Sequence, residues 1–288
     1  MEIIAVSFKD GINDKINDRI LFQNDACVVI NKLPGESSEN PDKNNGELGN
    51  SECNAGDSKQ NKENLILFPV HRLDAPVSGC LLLAKSKEAA AFLGAAFAKP
   101  ALNEQHPVVE KKYWAIVEKP KDNNILIGNI LNNKAELIHW LYENKKINKS
   151  FAHPFNDASS SSCEIYPKGK NDDGYVLQKK YGKPKKAVMR YQVIGEGERY
   201  IFLEINLVTG RHHQIRAQLA AIGLHIKGDL KYGARRSEKG GGIRLHARLL
   251  SFPNPLAPSK IIRVEASPPA EDSLWRSFAE MDRNLGSL

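Results

Sequence analysis

The chain has 288 residues, of which 41% are hydrophobic and 26% are charged, a composition typical of a soluble globular protein. It contains no run of about eighteen apolar residues, so we expect no membrane-spanning helix. The net charge of +7 is uneven, because residues 36–64 carry −4 and the rest of the chain +11. A basic body is typical of proteins that bind a polyanion, although many basic proteins have no such partner.

Two features of the sequence favour a cytoplasmic location. The first ten residues have neither the basic start nor the apolar run of a signal peptide. The four cysteines are widely spaced and form no C-x-x-C pair, as expected of free thiols in a reducing compartment.

In the first part of the chain, residues 20–25 and 27–32 predict two short strands around a turn at Asn24-Asp25. Residues 36–64 contain only three apolar residues, too few to offset the entropy of ordering, and predict a flexible polar loop. A buried strand is predicted at 80–85. Ser86 then has the character of an N-cap for a helix of small residues.

In the middle of the chain, residues 112–118 predict a strand and residues 134–146 predict a helix in an unusual position. We interpret 120–185 as a surface insertion because most of it is polar. The alternation of apolar and polar residues over 200–207 predicts a strand with one buried face.

After Thr209-Gly210, the apolar stripe of Ile215, Leu219 and Ile222 predicts a helix that ends at Gly223. Further elements are predicted as strands at 243–250 and 260–266 and a helix at 273–283. Strands outnumber helices and hairpin-like spacings dominate. The sequence therefore predicts one α+β domain over 1–288, with a mixed, largely antiparallel central sheet and flanking helices.

Two blocks of the sequence indicate a catalytic site. His71-Arg72-Leu73-Asp74 places Asp74 at the mouth of the strand that follows Ser78-Gly79. About 135 residues later, the block that runs from Thr209 to Arg216 brings two arginines. A nearby guanidinium keeps a carboxylate ionised and oriented, so the two blocks together indicate an acid presented to a substrate.

These blocks resemble the RluA-type family of RNA pseudouridine synthases, in the family's order and over about residues 20–255. The matching segments are Asn31-Lys32-Leu33-Pro34-Gly35, His71-Arg72-Leu73-Asp74 with Ser78-Gly79, Lys111-Lys112-Tyr113, Thr209-Gly210-Arg211 with His213-Gln214-Ile215-Arg216, Ile222-Gly223, Gly228-Asp229, Tyr232-Gly233 and Leu245-His246-Ala247. The chain departs from the family pattern at Ala75-Pro76, His212 and Gln218. The resemblance implies isomerisation of uridines in ribosomal or transfer RNA to pseudouridine, without a cofactor.

The resemblance also implies roles for single residues. Asp74 would be the nucleophile that attacks C6 of the base or C1′ of the ribose, with Arg211 as its salt-bridge partner. Tyr113 would stack on the extruded uracil and assist proton removal from C5. Without the motifs around them, these three residues would be interpreted as a turn residue, a core residue and a surface charge.

Arg72, Arg216 and Lys32 are the residues we assign to RNA contact. Arg72 would fill the gap that the flipped base leaves, or hold a phosphate. For Arg216, an RNA contact and a structural ion pair are equally compatible with the sequence.

Other interpretations remain open at this level. A catalytically silent RNA-binding protein could retain the same scaffold, and an aspartate-dependent glycosidase acting on small molecules would also use Asp74. We expect no metal site, because the candidate ligands lie on several separate elements, namely His212, His213, His225 and His246. A monomer is the default expectation.

Overall fold

The structure, a computed structural model, describes residues 6–7, 18–38, 66–98, 109–120, 134–154, 183–238, 241–269 and 272–286. The strands of this part are β1 (Val6–Ser7), β2 (Ile20–Gln23), β3 (Cys27–Lys32), β4 (Ile66–Pro69), β5 (Ser78–Ala84), β6 (Glu110–Glu118), β7 (Lys134–Asn144), β8 (Lys149–Pro154), β9 (Lys185–Glu196), β10 (Tyr200–Leu207), β11 (Leu245–Asn254) and β12 (Ala257–Glu265). The helices are α1 (Lys87–Ala98), α2 (Gln214–Ala221) and α3 (Ser273–Gly286), with a 3-10 turn at Leu230–Tyr232.

The strands form one sheet in the order β1-β4-β5-β11-β6-β10-β9-β7-β8, with β12 beside β11 and β3 joining β2 to β5. Only β5 and β11 pair in parallel among the described strands, through Ser78–His246 and Gly79–Ala247. The backbones of these two strands approach so closely that a Cβ at Gly79, whose φ is +112°, would overlap the backbone of Ala247. The predicted α+β fold with a mixed, mostly antiparallel sheet is confirmed.

The helices cover the two faces of the sheet, and Ser86 caps α1 as predicted. Its Oγ accepts a hydrogen bond of 3.1 Å from the N–H of Ala89. Helix α2 buries the predicted stripe of Ile215, Leu219 and Ile222 against one face of the sheet. Because strand residues alternate between faces, Tyr113 points to the side of α2.

Strand β10 differs from its prediction on one point. Phe202 was expected on an open face, but its side chain is only 2% exposed. It packs with Trp114 against Trp275 and Phe278 of α3. The C-terminal helix therefore buries a face that the local alternation predicts to be polar.

The predicted helix over 134–146 is wrong, because Lys134–Asn144 form β7. Strand β7 pairs with both β8 and β9 and so extends the central sheet. The interpretation of 120–185 as a surface insertion therefore does not hold for 134–154. Residues 121–133 and 155–182, together with 39–64 of the predicted flexible loop, lie outside the described residues.

Within the described ranges, no helix has the length and apolar character needed to cross a bilayer.

Candidate active site

Asp74 lies in a tight turn that leads into the central strand β5. Its backbone carbonyl accepts a 2.9 Å hydrogen bond from the N–H of Val77, and β5 begins at the next residue. Every residue of β5 is buried, so the turn is attached directly to the core. The carboxylate itself is 16% exposed and faces a cleft.

The buried side chain of Lys32 is hydrogen-bonded to the backbone of this turn. Its Nζ donates hydrogen bonds to the carbonyls of Leu33 at 2.9 Å, Ala75 at 3.0 Å and Val77 at 2.6 Å. The residue is 0% exposed, and burial lowers the pKa of its ammonium to about 8 although Glu36 and Asp74 raise it. The assignment of Lys32 to RNA contact is therefore wrong, because all three donors are used inside the protein.

Two further contacts fix the same turn, and the sequence analysis assigned neither. Ser38 Oγ donates to the carbonyl of Leu73 at 2.7 Å and accepts from its N–H at 2.9 Å. Gly35, with φ at +91°, donates its N–H to the carbonyl of Ala75 at 2.7 Å. The segments on both sides of Asp74 are thus bonded to the residues that follow β3.

The salt-bridge partner of Asp74 is Arg216. Its Nη1 donates to Asp74 Oδ2 at 3.0 Å, while Nε and Nη2 grip Asp229 at 2.7 and 2.8 Å. The Arg216 side chain is 5% exposed, and its guanidinium lies 4.9 Å from the ring centroid of Tyr232. Of the two roles left open for Arg216, the structure supports the ion pair and contradicts RNA contact.

Arg211 does not fill the role predicted for it. The residue is exposed on the cleft wall before α2, and its Nε donates to the carbonyl of Lys186 at 3.3 Å. Arg216 lies within α2, where the side chain points from the helix under the cleft floor. Both arginines belong to the same sequence block, and only the packing of α2 decides which one reaches the acid.

Asp229 and Tyr232 complete the floor of the site. Asp229 is 1% exposed, which makes it a buried counter-charge for Arg216. The Tyr232 hydroxyl accepts from the N–H of Ser150 at 2.8 Å and lies 3.0 Å from His213 Nδ1. The turn that contains Asp229 and Tyr232 is part of the matching motifs, but the motifs predict no function for either residue.

His213 lies beside Asp74 and also lines the cleft. Its Nε2 is 3.6 Å from Asp74 Oδ2, and its backbone adopts a left-handed conformation with φ at 51°. Burial, with Arg216 as the next cause, lowers the pKa of His213 to about 2. The imidazole is therefore neutral at physiological pH, and its hydrogen bond to Tyr232 gives it a structural role.

The cleft in front of Asp74 has a volume of about 580 Å³. Tyr113 forms part of its wall and is 7% exposed. Burial, and to a lesser degree the Asp74 carboxylate, raises the pKa of the Tyr113 phenol, which keeps it protonated. Arg72 is exposed at the same cleft, next to the acid.

In the described part of the chain, no three residues among His, Cys, Asp and Glu come together in a way that could hold a metal ion. Cys27 and Cys80 are buried free thiols.

The sequence profile of the RNA pseudouridylate synthase family matches residues 26–221, and the chain belongs to this family. That range contains Asp74, Tyr113, Arg211 and Arg216, so the match covers most of the site described above.

Individual relatives agree with this assignment. The chain is 30% identical over 251 residues to a tRNA pseudouridine synthase C of Haemophilus ducreyi, covering 84% of this chain and 88% of the relative. It is 27% identical to an RNA pseudouridine synthase of Bacillus subtilis, with 90% and 72% covered. The human RNA pseudouridylate synthase domain containing 4 has a similar fold, with a TM-score of 0.57, 20% identity and coverage of 93% and 94%.

The protein is thus an RNA pseudouridine synthase, an isomerase that converts uridine in RNA to pseudouridine. The resemblance seen in the sequence motifs is confirmed. The comparisons support neither a catalytically silent scaffold nor a glycosidase acting on small molecules.

Proposed function

We propose that Asp74 is the nucleophile with which this enzyme isomerises specific uridines in structured RNA. The observation that carries the proposal is the asymmetric setting of its carboxylate. Oδ2 receives the hydrogen bond from Arg216 and faces His213, whereas Oδ1 has no hydrogen-bond donor among the described residues. The ion pair orients the group and leaves Oδ1 to attack.

The reaction needs no change of oxidation state. Oδ1 of Asp74 would form a bond to C6 of the uracil or to C1′ of the ribose, and the N1–C1′ bond breaks. The base then turns so that C5 joins C1′, C5 loses its proton, N1 gains one from solvent, and the bond to the aspartate breaks to return the free carboxylate. Both points of attack remain compatible with a carboxylate at this position.

The uridine must leave its stack before the cleft can hold it, at a cost of a few kcal/mol. Tyr113 offers an aromatic face on the wall beside Asp74, and stacking on such a ring is worth about 1–3 kcal/mol per base. Arg72 stands at the mouth of the cleft, where it would enter the space left by the base or hold a phosphate.

The basic residues around the cleft suit an RNA backbone. Arg211 lines the cleft, and Lys185 and Lys186 are exposed beside it. We assign Arg211 to contact with RNA phosphates in place of the salt bridge first expected of it. Each such contact contributes to affinity by releasing counterions, so binding will weaken as salt rises.

Transfer RNA is the substrate we test first, because relatives from Haemophilus ducreyi and Vibrio parahaemolyticus are named tRNA pseudouridine synthase C. Ribosomal RNA is the alternative. The single sheet that runs through the described strands supports one catalytic domain. We propose a monomer that acts in the cytoplasm, where buried free thiols such as Cys27 and Cys80 are typical.

The test is to map pseudouridines by chemical reactivity in total RNA from cells with and without the gene. Loss of defined sites, restored by the wild-type chain but not by Asp74→Asn, is the expected result. Asp25→Asn is the matched control, because Asp25 is exposed at the turn between β2 and β3. Restoration of the same sites by Asp74→Asn would contradict the assignment of Asp74.

A further inference from the structure

Lys111 is a cation on the cleft wall that the reaction described so far does not use. It lies on β6 two residues before Tyr113, and both residues line the cleft. Because side chains on a strand alternate, the two share one face of the sheet and are separated by about 7 Å. Lys112, between them, points to the other face.

Among the described residues, no carboxylate forms an ion pair with the Lys111 ammonium. The ammonium lies 5.8 Å from the ring centroid of Phe97 and 3.5 Å from the position that a Cβ on Gly210 would occupy. Neither of the carboxylates that line the cleft, Asp74 and Glu143, is within ion-pair distance of Lys111. Burial lowers the pKa of this ammonium, as expected for a charge that is partly removed from water without a partner.

Lys112 shows the ordinary arrangement for comparison. Its Nζ is 3.1 Å from Glu204 Oε1 and 4.0 Å from Glu110 Oε1, so two carboxylates neutralise it. Both lysines are half-buried on the same strand. They differ in that the charge of Lys112 is satisfied within the protein and the charge of Lys111 faces the cleft.

We propose that Lys111 binds a phosphate of the nucleotide whose base stacks on Tyr113. This inference rests on the proposed function, since it takes the position of the base from Tyr113. An ammonium is a compact point charge with three rotatable donors, which suits a phosphate oxygen. Gly210 adds a backbone N–H that has no acceptor within the described residues, and its missing side chain leaves the approach to Nζ open.

Binding of a phosphate by Lys111 and a contact between Lys111 and the uracil ring have different effects on the salt dependence of RNA binding. A contact with a phosphate releases about one counterion from the RNA and so increases the salt dependence of binding, whereas a hydrogen bond to a base carbonyl releases none. A structural role for the Lys111 side chain would affect folding but neither quantity. The salt dependence of binding and the effect of single neutral phosphates therefore separate these cases.

The first experiment measures RNA binding in the Asp74→Asn background, where turnover is blocked. The probe is a stem-loop transcript that contains a uridine identified by the mapping experiment. Lys111→Met should weaken binding about tenfold and lower the slope of log affinity against log salt by about 1. Lys112→Met, the matched control, should leave the slope unchanged. An unchanged slope in Lys111→Met would overturn the proposal.

The second experiment does not depend on the stability of the variant. Methylphosphonates replace the phosphates around the uridine one at a time in synthetic RNA. Replacement of one particular phosphate should lower the affinity of the parent enzyme about tenfold. The same replacement should hardly change the affinity of Lys111→Met, because that variant already lacks the charge that pairs with this phosphate. If no linkage shows this dependence on Lys111, the proposal fails. Failure of Asp74 as nucleophile would instead appear in the mapping experiment.

Discussion

Arg216 and Asp74 form an ion pair at 3.0 Å in which the arginine is almost completely buried and the aspartate faces the cleft. The other edge of the same guanidinium is bidentate on the buried Asp229. Asp229 fixes the arginine, and the arginine in turn fixes one oxygen of Asp74. The carboxylate that we propose as the nucleophile is thereby oriented by a group that cannot swing into solvent.

Arg216→Gln should be more damaging than Arg211→Gln. Removal of the buried guanidinium leaves Asp229 without its partner, which should cost about 3–5 kcal/mol of stability. The loss of orientation at Asp74 should lower turnover by more than about 100-fold. Arg211→Gln should change stability by less than about 0.5 kcal/mol, because the residue is exposed.

Denaturant unfolding and single-turnover rates on the mapped RNA measure both effects. Arg216→Lys is an informative companion, because a lysine keeps the charge but cannot grip Asp229 and Asp74 together. If Arg211→Gln lost more activity than Arg216→Gln, the ion pair described above would not be the one that matters for catalysis.

Lys32→Met should destabilise the turn that carries Asp74. Its three hydrogen-bonded carbonyls would become buried and unpaired, and each such group costs about 1–3 kcal/mol. The free energy of unfolding should fall by at least about 3 kcal/mol, with a loss of turnover at temperatures where the variant is folded. Lys260→Met, at an exposed position of β12, is the control and should behave as wild type in both assays.

Tyr113→Phe should bind RNA as tightly as wild type, whereas Tyr113→Ala should bind about 5- to 150-fold more weakly. The reason is that stacking depends on the ring and not on the hydroxyl. Equilibrium binding in the Asp74→Asn background isolates this effect from chemistry. Equal affinity for the phenylalanine and alanine variants would show that the base does not stack on this residue.

The protein should lose stability as the pH falls from 7 to 5. Burial lowers the pKa values of four histidines to about 2 to 4, namely His71, His139, His213 and His246. Unfolded histidines bind protons near pH 6.5, so between these values the unfolded state takes up more protons and unfolding becomes easier as pH falls.

His246 offers a single-site test of this effect. Its Nε2 donates to the carbonyl of Ala266 at 3.0 Å and its Nδ1 is 2.9 Å from Ser78 Oγ, so it is held neutral in the core. Each such histidine should contribute about 2 kcal/mol to the loss between pH 7 and pH 5. Denaturant midpoints at both pH values should show a smaller loss for His246→Gln, and an equal loss would contradict the assignment.

The local sequence pattern was sufficient to predict the elements that bury one face or that begin with a capping residue. The stripe on α2 and the Ser86 cap depend on neighbours within one or two turns, so the sequence predicts them directly. It was insufficient for residues 134–146, where tertiary pairing decided the outcome. Strand β7 lies between β8 and β9, and backbone bonds to both neighbours outweigh a composition that favours a helix.

The sequence by itself determined the family, the fold class and the acid at the mouth of β5, because short motifs in a set order carry that information. Only the tertiary structure decided that Arg216 rather than Arg211 holds Asp74, and that Lys32 lies beneath the turn instead of at the surface. The partners concerned are 43 to 142 residues apart in the chain. No local pattern specifies which of two nearby cations will be buried against a distant carboxylate, because the packing of helix and sheet sets that distance.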